Sequence, residues 1–316
     1  MILKNKNKLK ITNVLNKKNR LDKFLSKLIS NYSRSYIKKL IINGYVKINK
    51  KIELIPKKKV IKGDKIEIKN FPKKKDPIAE NINLNIVYED SELIIINKKN
   101  NIVVHPGAGN LSGTILNSLL YHYPFLKKIP RAGIVHRLDK NTTGLMIIAK
   151  SINSYNFLVS LLKSHKITRE YEALVYGTIL TNGKIDKPIM RNKKKRTIMM
   201  VHPKGKKSIT HYKIINNFNF CTHLKINLET GRTHQIRVHM SYIKHPIIGD
   251  KTYIKGITKY KNIKPKLKKI MLMFHRQSLH AKKIKLIHPI SKKKINYTID
   301  LPKDMLNLIK SLKNYK

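Results

Sequence analysis

Asp139 is the first residue whose surroundings suggest chemistry. It follows His136, Arg137 and Leu138 and precedes Lys140-Asn141-Thr142-Thr143-Gly144. A carboxylate in a basic loop can stabilise or trap positive charge developing on carbon. Its plainer use is to cap a turn through backbone amides. Arg232 and Arg237 bracket a Thr233-His234-Gln235-Ile236 run, although a lone arginine in a basic chain is ordinarily solvated surface. Tyr171, in Arg169-Glu170-Tyr171-Glu172-Ala173, taken alone reads as a sheet tyrosine with its hydroxyl at the surface. His234, His239 and His245 invite a metal. However, His234 and His239 are five apart on an expected strand and so point to opposite faces, no cysteine joins them, and there is no His-Glu-x-x-His pattern. Gly107 and Gly109 suggest a phosphate loop but lack its spacing and its Gly-Lys-Ser/Thr ending. Neither a metal nor a bound nucleoside triphosphate is expected.

The charge balance narrows the partner. Of 316 residues, 69 are Lys or Arg and 17 are Asp or Glu, a net +52. That excludes a cationic partner and favours a polyanion, nucleic acid before an anionic membrane. Aromatic residues are 7% with no Trp, so backbone charge rather than stacking should dominate affinity for RNA. Lysines far outnumber any phosphate footprint, and with abundant Asn and Ile they point partly to composition drift. The single cysteine, Cys221, allows neither an intrachain disulfide nor a cysteine zinc site. No signal peptide or membrane span is expected, so the expected compartment is the cytoplasm.

Periodicity indicates the elements that must position these residues. Leu21, Phe24, Leu25, Leu28 and Ile29 fall at helical spacing. A second helix presents Tyr36, Ile37, Leu40 and Ile41, with Ser33 as its cap and Asn43-Gly44 as its stop. Residues 9–14, 45–48 and 61–68 read as strands, the last with a turn at Gly63-Asp64. Arg34, Lys38, Lys39 and Lys47 are left on the polar surface of this module. Residues 70–80, with Pro72, Pro77 and five charges, read as a linker. Beyond it strands dominate: 84–96 broken at 89–92, 147–148, 169–177, two or more across 208–240, and 284–287. Helices are expected at 111–120 and 154–162, and residues 252–269 read as a Lys-rich surface insertion. The fold class is α+β: a small N-terminal α/β module at 20–69, a linker at 70–80, and a larger domain at 81–316 built on a mixed, mostly antiparallel sheet.

Three segments, taken in order, carry a resemblance: 133–145 with His136-Arg137-Leu138-Asp139, 168–177 with Tyr171, and 229–239 with His234-Gln235-Ile236-Arg237, followed by His245-Pro246 and Gly249-Asp250. Together they resemble the large-subunit ribosomal RNA pseudouridine synthases of the C/D type, and residues 103–109, 130–144 and 168–173 are closest to its D-type members. The N-terminal module resembles an S4 RNA-binding domain. The resemblance implies an isomerase that exchanges a uracil N1–C1′ bond for a C5–C1′ bond, without metal, organic cofactor or energy source. It makes Asp139 the catalytic aspartate, acting by attack on C1′ or through a glycal. Arg237 becomes the arginine that keeps Asp139 ionised and aimed. Tyr171 becomes the ring against the flipped base, its hydroxyl within reach of the C5 proton. Arg137, His136 and Arg232 become RNA contacts, together with Arg34, Lys38 and Lys39 of the S4-like module. Thr142, Thr143 and Gly144 become loop scaffold, and Lys98 matches a family lysine despite the Lys98-Lys99 departure from Lys-Pro. Asn141 replaces a commoner Asp, and a change in loop hydrogen bonds is expected. The implied partner is 23S rRNA, in free or assembling 50S subunits and for D-type members in the helix 69 stem-loop, with no membrane and no obligatory protein partner; a monomer is expected. C-type uridines, a catalytically silent assembly factor, and a general coat protein for nucleic acid or membrane are the competing readings.

Overall fold

The computed structural model describes residues 2–5, 8–11, 19–29, 32, 34–69, 77–107, 109–218, 220–254 and 265–314. The chain divides into two compact units, 1–76 and 77–316.

In the first unit, helices Leu21–Leu28 and Arg34–Ile42 cover an antiparallel sheet ordered Ile2–Asn5, Lys8–Ile11, Ile66–Lys69, Val46–Ile48, Lys51–Ile52. The apolar helix faces expected from the sequence, Leu21, Leu25, Ile37, Leu40 and Ile41, form its core with Val46, Ile66 and Ile68. Gly63 turns at φ +92, and Asp64 Oδ2 closes that turn on the Ile61 amide at 2.9 Å. Ser33 and residues 12–14 lie outside the described residues. Arg34 and Lys38, expected to be simple surface cations, are pinned on Asp22, whose side chain is fully buried: Arg34 Nη2 stands 3.0 Å and Lys38 Nζ 3.8 Å from Oδ2, with Arg20 also at 3.0 Å. Burial works to raise the Asp22 carboxyl, but hydrogen bonds from Arg20 and Arg34 bring it below its ordinary value. Lys39 remains exposed on the same helix.

The second unit is built on a nine-stranded sheet ordered Gly183–Asp186, Ile209–Phe218, Cys221–Leu228, Thr168–Tyr176, Leu279–Ile287, Thr143–Ala149, Leu93–Lys98, Ile86–Glu89, with Lys294–Thr298 also on Leu279–Ile287. Its pairs are antiparallel except a short parallel contact, Thr143 with His280 and Gly144 with Ala281. The central strands are apolar on both faces because both are covered. Ile94, Ile96, Met146 and Ile148 face a core shared with helix Ile115–His122. Leu93, Ile95, Leu145 and Ile147 face helix Ile152–Lys163 through Leu158 and Leu161. A third core joins helices Pro265–Leu272 and Lys303–Lys313 to Leu174 and Tyr176 of the sheet.

Three expectations need correction. Residues 208–240 hold two strands, but Gln235–Tyr242 is a helix, so His234 and His239 do not alternate across a strand. This helix is buried at Gln235, Ile236, Arg237, Val238, His239 and Met240 in succession, which erases the polar stripe that normally reveals a helical period. The 252–269 stretch is not simply surface: Tyr253 is buried and a helix begins at Pro265, while 255–264 lie outside the described residues. The helix expected from 111 starts at Ile115, where Thr114 and Asn117 form a capping box.

Candidate active site

Asp139 sits in the loop between the turn Pro130–Gly133 and strand Thr143–Ala149, and the loop is fastened along its length. Leu138 is buried beneath it. The Thr142 amide donates to the Asp139 carbonyl at 3.1 Å. Lys98 Nζ donates to the carbonyl of Lys140 at 2.9 Å, and to those of Lys99 and Ile102. Arg276 Nη1 reaches the Asn141 carbonyl at 3.3 Å while its fork is held by Asp304, from Nε at 2.7 Å and Nη2 at 2.9 Å. Gln277 Nε2 donates to Thr142 Oγ1 at 3.0 Å, and Thr143 Oγ1 pairs with His280 Nδ1 at 2.8 Å. The threonine hydroxyls therefore bind side chains. Gly144 lies at φ +113, and a Cβ there would stand 2.3 Å from the Ala281 carbonyl oxygen, so the chain re-enters the sheet only with glycine.

The fastened loop delivers Asp139 to Arg237. Arg237 Nη1 donates to Asp139 Oδ2 at 3.0 Å. The other edge of the guanidinium is held by buried Asp250, from Nε to Oδ2 at 2.6 Å and from Nη2 to Oδ1 at 2.9 Å. Burial disfavours the charge, but the two carboxylates outweigh it and hold Arg237 protonated. The guanidinium also lies over the Tyr253 ring, 5.0 Å from its centre. Tyr253 Oη accepts the Met199 amide at 2.8 Å and pairs with His234 Nδ1 at 2.7 Å. Because the buried hydroxyl has no other acceptor among the described residues, it donates to Nδ1, which leaves the His234 proton on Nε2. That Nε2 stands 3.8 Å from the second oxygen of Asp139. His234 takes this position with a left-handed backbone, φ 54, at the start of the 235–242 helix.

A cleft of about 790 Å³ opens over this group, lined by Asp139, Arg237, Tyr171, His136, Arg137 and Arg232 among others. That volume lies within the ~300–1,000 Å³ of small-ligand clefts and admits a nucleotide. Six cationic side chains line it, Arg131, Arg137, Lys163, Arg169, Arg232 and Arg237, against the carboxylates of Asp139 and Glu229. Tyr171 is 6% exposed at the cleft wall. Burial raises its hydroxyl above the ordinary value, with Arg169 opposing and Asp139 assisting, so at neutral pH it is a donor rather than a base.

The RNA-contact candidates differ among themselves. Arg137 is exposed on the cleft, and Arg232 is exposed with its Nε on the Lys207 carbonyl at 3.2 Å. His136 is committed inward: its Nε2 accepts the Ile147 amide at 3.0 Å, and burial, then the Arg169 charge, pushes it down to about 3. It is a neutral wall of the cleft. The metal candidates are likewise committed, His239 to Thr210 and the Lys187 carbonyl, and His245 to the Tyr176 carbonyl. No metal-binding cluster occurs among the described residues. Asn141 contributes its backbone carbonyl to the loop. Asp250, Tyr253, Arg276 and Asp304 were missed as supports; only Gly249-Asp250 carried a signal, as part of a motif.

The profile of the RNA pseudouridylate synthase family matches residues 92–242, and that of the S4 domain matches residues 19–66. The ribosomal large subunit pseudouridine synthase D of Buchnera aphidicola from Acyrthosiphon pisum is 54% identical over 92% of this chain and 93% of its own length. That of Haemophilus influenzae is 49% identical over 93% of this chain and 91% of its own. The chain belongs to the ribosomal large subunit pseudouridine synthase D family. It is an RNA pseudouridine synthase, an isomerase with an N-terminal S4 domain. The solved human RNA pseudouridylate synthase domain containing 4 superposes at TM-score 0.57 with 22% identity, over 72% of this chain and 93% of its own, and shows the same synthase fold. Domain containing 1 does so at 0.53 and 22%, over 73% and 95%.

Proposed function

We propose that this synthase acts on 23S rRNA in the cytoplasm, in free or assembling 50S subunits as a monomer, and that its uridines lie in the helix 69 stem-loop. The rRNA substrate rests on the D-type relatives and on the cationic cleft. Within the cleft, a single observation carries the assignment of chemistry. Asp139 and Arg237 at the cleft floor form one hydrogen-bonded chain with Asp250 buried behind them, with Tyr171 on the cleft wall.

The reaction breaks N1–C1′, turns the uracil, forms C5–C1′, releases the C5 proton and returns a proton to N1. Asp139 faces C1′ with the oxygen that Arg237 leaves free. It either bonds to C1′, or takes the 2′ proton as N1–C1′ breaks to give a glycal and returns it to C2′ when C5–C1′ forms. Arg237, clamped from behind, fixes the carboxylate so that little reorganisation is needed. The Tyr171 ring stacks on the turning base, and its hydroxyl, protonated at rest, must lose that proton before it can take one from C5. Arg137 holds open the place the base vacates. Arg232, His136 and the S4 cations Arg34, Lys38 and Lys39 contribute to RNA binding, His136 by shape rather than charge.

The test is to incubate the protein with unmodified 23S RNA and immature 50S particles and map pseudouridine by carbodiimide-dependent reverse-transcription stops. New stops in the helix 69 loop, absent with Asp139→Ala, are expected. Stops at other uridines would move the target, and binding without stops would refute the enzyme reading.

A further inference from the structure

Arg169 lines the cleft two residues before Tyr171 on the same strand. It is 9% exposed. Its Nε is enclosed without a hydrogen-bond partner, and no described residue accepts from either amino group. The other buried cations around the loop are answered: Arg237 by Asp139 and Asp250, Arg276 by Asp304, Lys98 by three carbonyls. Arg169 faces instead the neutral His136 and the protonated Tyr171, both of which feel its charge. The amino groups open on the cleft, but an enclosed Nε–H without an acceptor, beside a charge no carboxylate answers, is unfavourable. The backbone nevertheless makes room for it. A Cβ on Gly231 would stand 2.6 Å from Arg169 Nη1, so glycine in the 229–232 turn lets the guanidinium lie along the cleft wall.

A base carbonyl would satisfy an N–H but leave the charge unanswered; an anionic oxygen satisfies both, and the planar fork suits two oxygens of one phosphorus. We propose that Arg169 anchors a phosphodiester of the RNA strand in the cleft, next to the nucleotide whose base meets Tyr171. This rests on the RNA-modifying reading above, and it makes Arg169 a substrate-binding residue whose charge stays unanswered until RNA arrives.

The test measures binding of a helix 69 stem-loop RNA, and of copies carrying one uncharged methylphosphonate at successive linkages around the target uridines, to wild-type protein and to Arg169→Met. Neutralising one linkage should weaken wild-type binding about tenfold and leave R169M unaffected. The slope of log affinity against log salt should fall by ~0.7 in R169M, one single-strand phosphate contact. The free R169M protein should melt no lower than wild type, since it loses only an unanswered charge. Equal methylphosphonate penalties in both proteins would overturn the proposal. So would an unchanged salt slope with a lower melting temperature, or loss of the fold in both R169M and Arg169→Gln, since the arginine would then be structural. Inorganic phosphate competing as well as the RNA would make the site one for free phosphate and also overturn it. If wild type forms no pseudouridine in this RNA, the functional reading fails, yet the linkage-by-linkage comparison still reports whether Arg169 holds a phosphate.

Discussion

Asp250 does not line the cleft, yet the geometry makes it decisive for the rate. Asp250→Asn keeps its size and removes one oxygen. Oδ1 accepts from Arg237 Nη2 and from the Thr252 and Tyr253 amides, so the oxygen of the new amide will stay there. Its NH₂ then faces Arg237 Nε, where Oδ2 now accepts at 2.6 Å, and two donors repel. Breaking a buried ion pair from one side costs about 3–5 kcal/mol; with one hydrogen bond kept, about 3 kcal/mol is expected. At ~2–4 °C per kcal/mol for 150–250 residues, the melting temperature of the larger unit should fall by about 6–12 °C. Arg237 will draw its Nε away from the new amide and carry Asp139 Oδ2 with it, and a displacement of ~1 Å costs on the order of 10²-fold in rate. Single-turnover pseudouridine formation at a temperature where the variant is folded reads the rate; anisotropy of labelled RNA reads affinity, which should stay within about twofold. A D250N enzyme at wild-type rate and melting temperature would refute the idea that Arg237 is aimed from behind.

Three further outcomes follow from the supports. Lys98→Met leaves three carbonyls without their donor, at roughly 1–3 kcal/mol for each unmet group, so the single-turnover rate should fall at least about tenfold with RNA affinity unchanged; burial pushes Lys98 down to about 7 against the pull of Asp139. Tyr253→Phe keeps the ring under Arg237 but frees His234; ¹⁵N spectra should show the ring leaving the Nε2–H tautomer and the rate should fall about tenfold, whereas an unchanged tautomer would contradict the hydroxyl's role. Acid should loosen the fold: burial pushes His105 and His280 down to about 4 and His136 to about 3, so below pH ~6.5 the unfolded chain takes up protons first and stability, full above that pH, drops by about 1.4 kcal/mol per unit for each histidine. Urea midpoints between pH 6.5 and 5, above the range in which carboxylates titrate, should show that slope, and a flat profile would contradict it.

What was legible in the sequence depended on the range of the interaction. The helices of the S4 unit declared themselves because Leu21, Leu25, Ile37 and Ile41 face a core on one side only. The 235–242 helix did not, since it is buried on every side. Asp139, Tyr171 and Arg237 stood out through the family's motifs rather than through spacing; 98 positions separate the aspartate from its arginine, and no local pattern joins them. The supports were harder still. Arg276 reaches across 135 positions to the Asn141 carbonyl, a backbone atom that leaves no mark on residue type. Tyr253 was hidden in a Lys-rich stretch whose composition suggested surface, and Arg34 looked free because its partner Asp22 lies on the preceding helix.

Asp139, aimed by Arg237, is expected to perform the bond exchange. Forming C5–C1′ displaces the proton on C5, so RNA made with 5-tritiated uridine must release tritium to water once for each pseudouridine formed. Wild-type protein and Asp139→Asn, matched for RNA affinity and melting temperature, should differ completely in a single turnover: release from the first and none above background from the second. Tritium release by D139N at a rate approaching wild type would contradict the account.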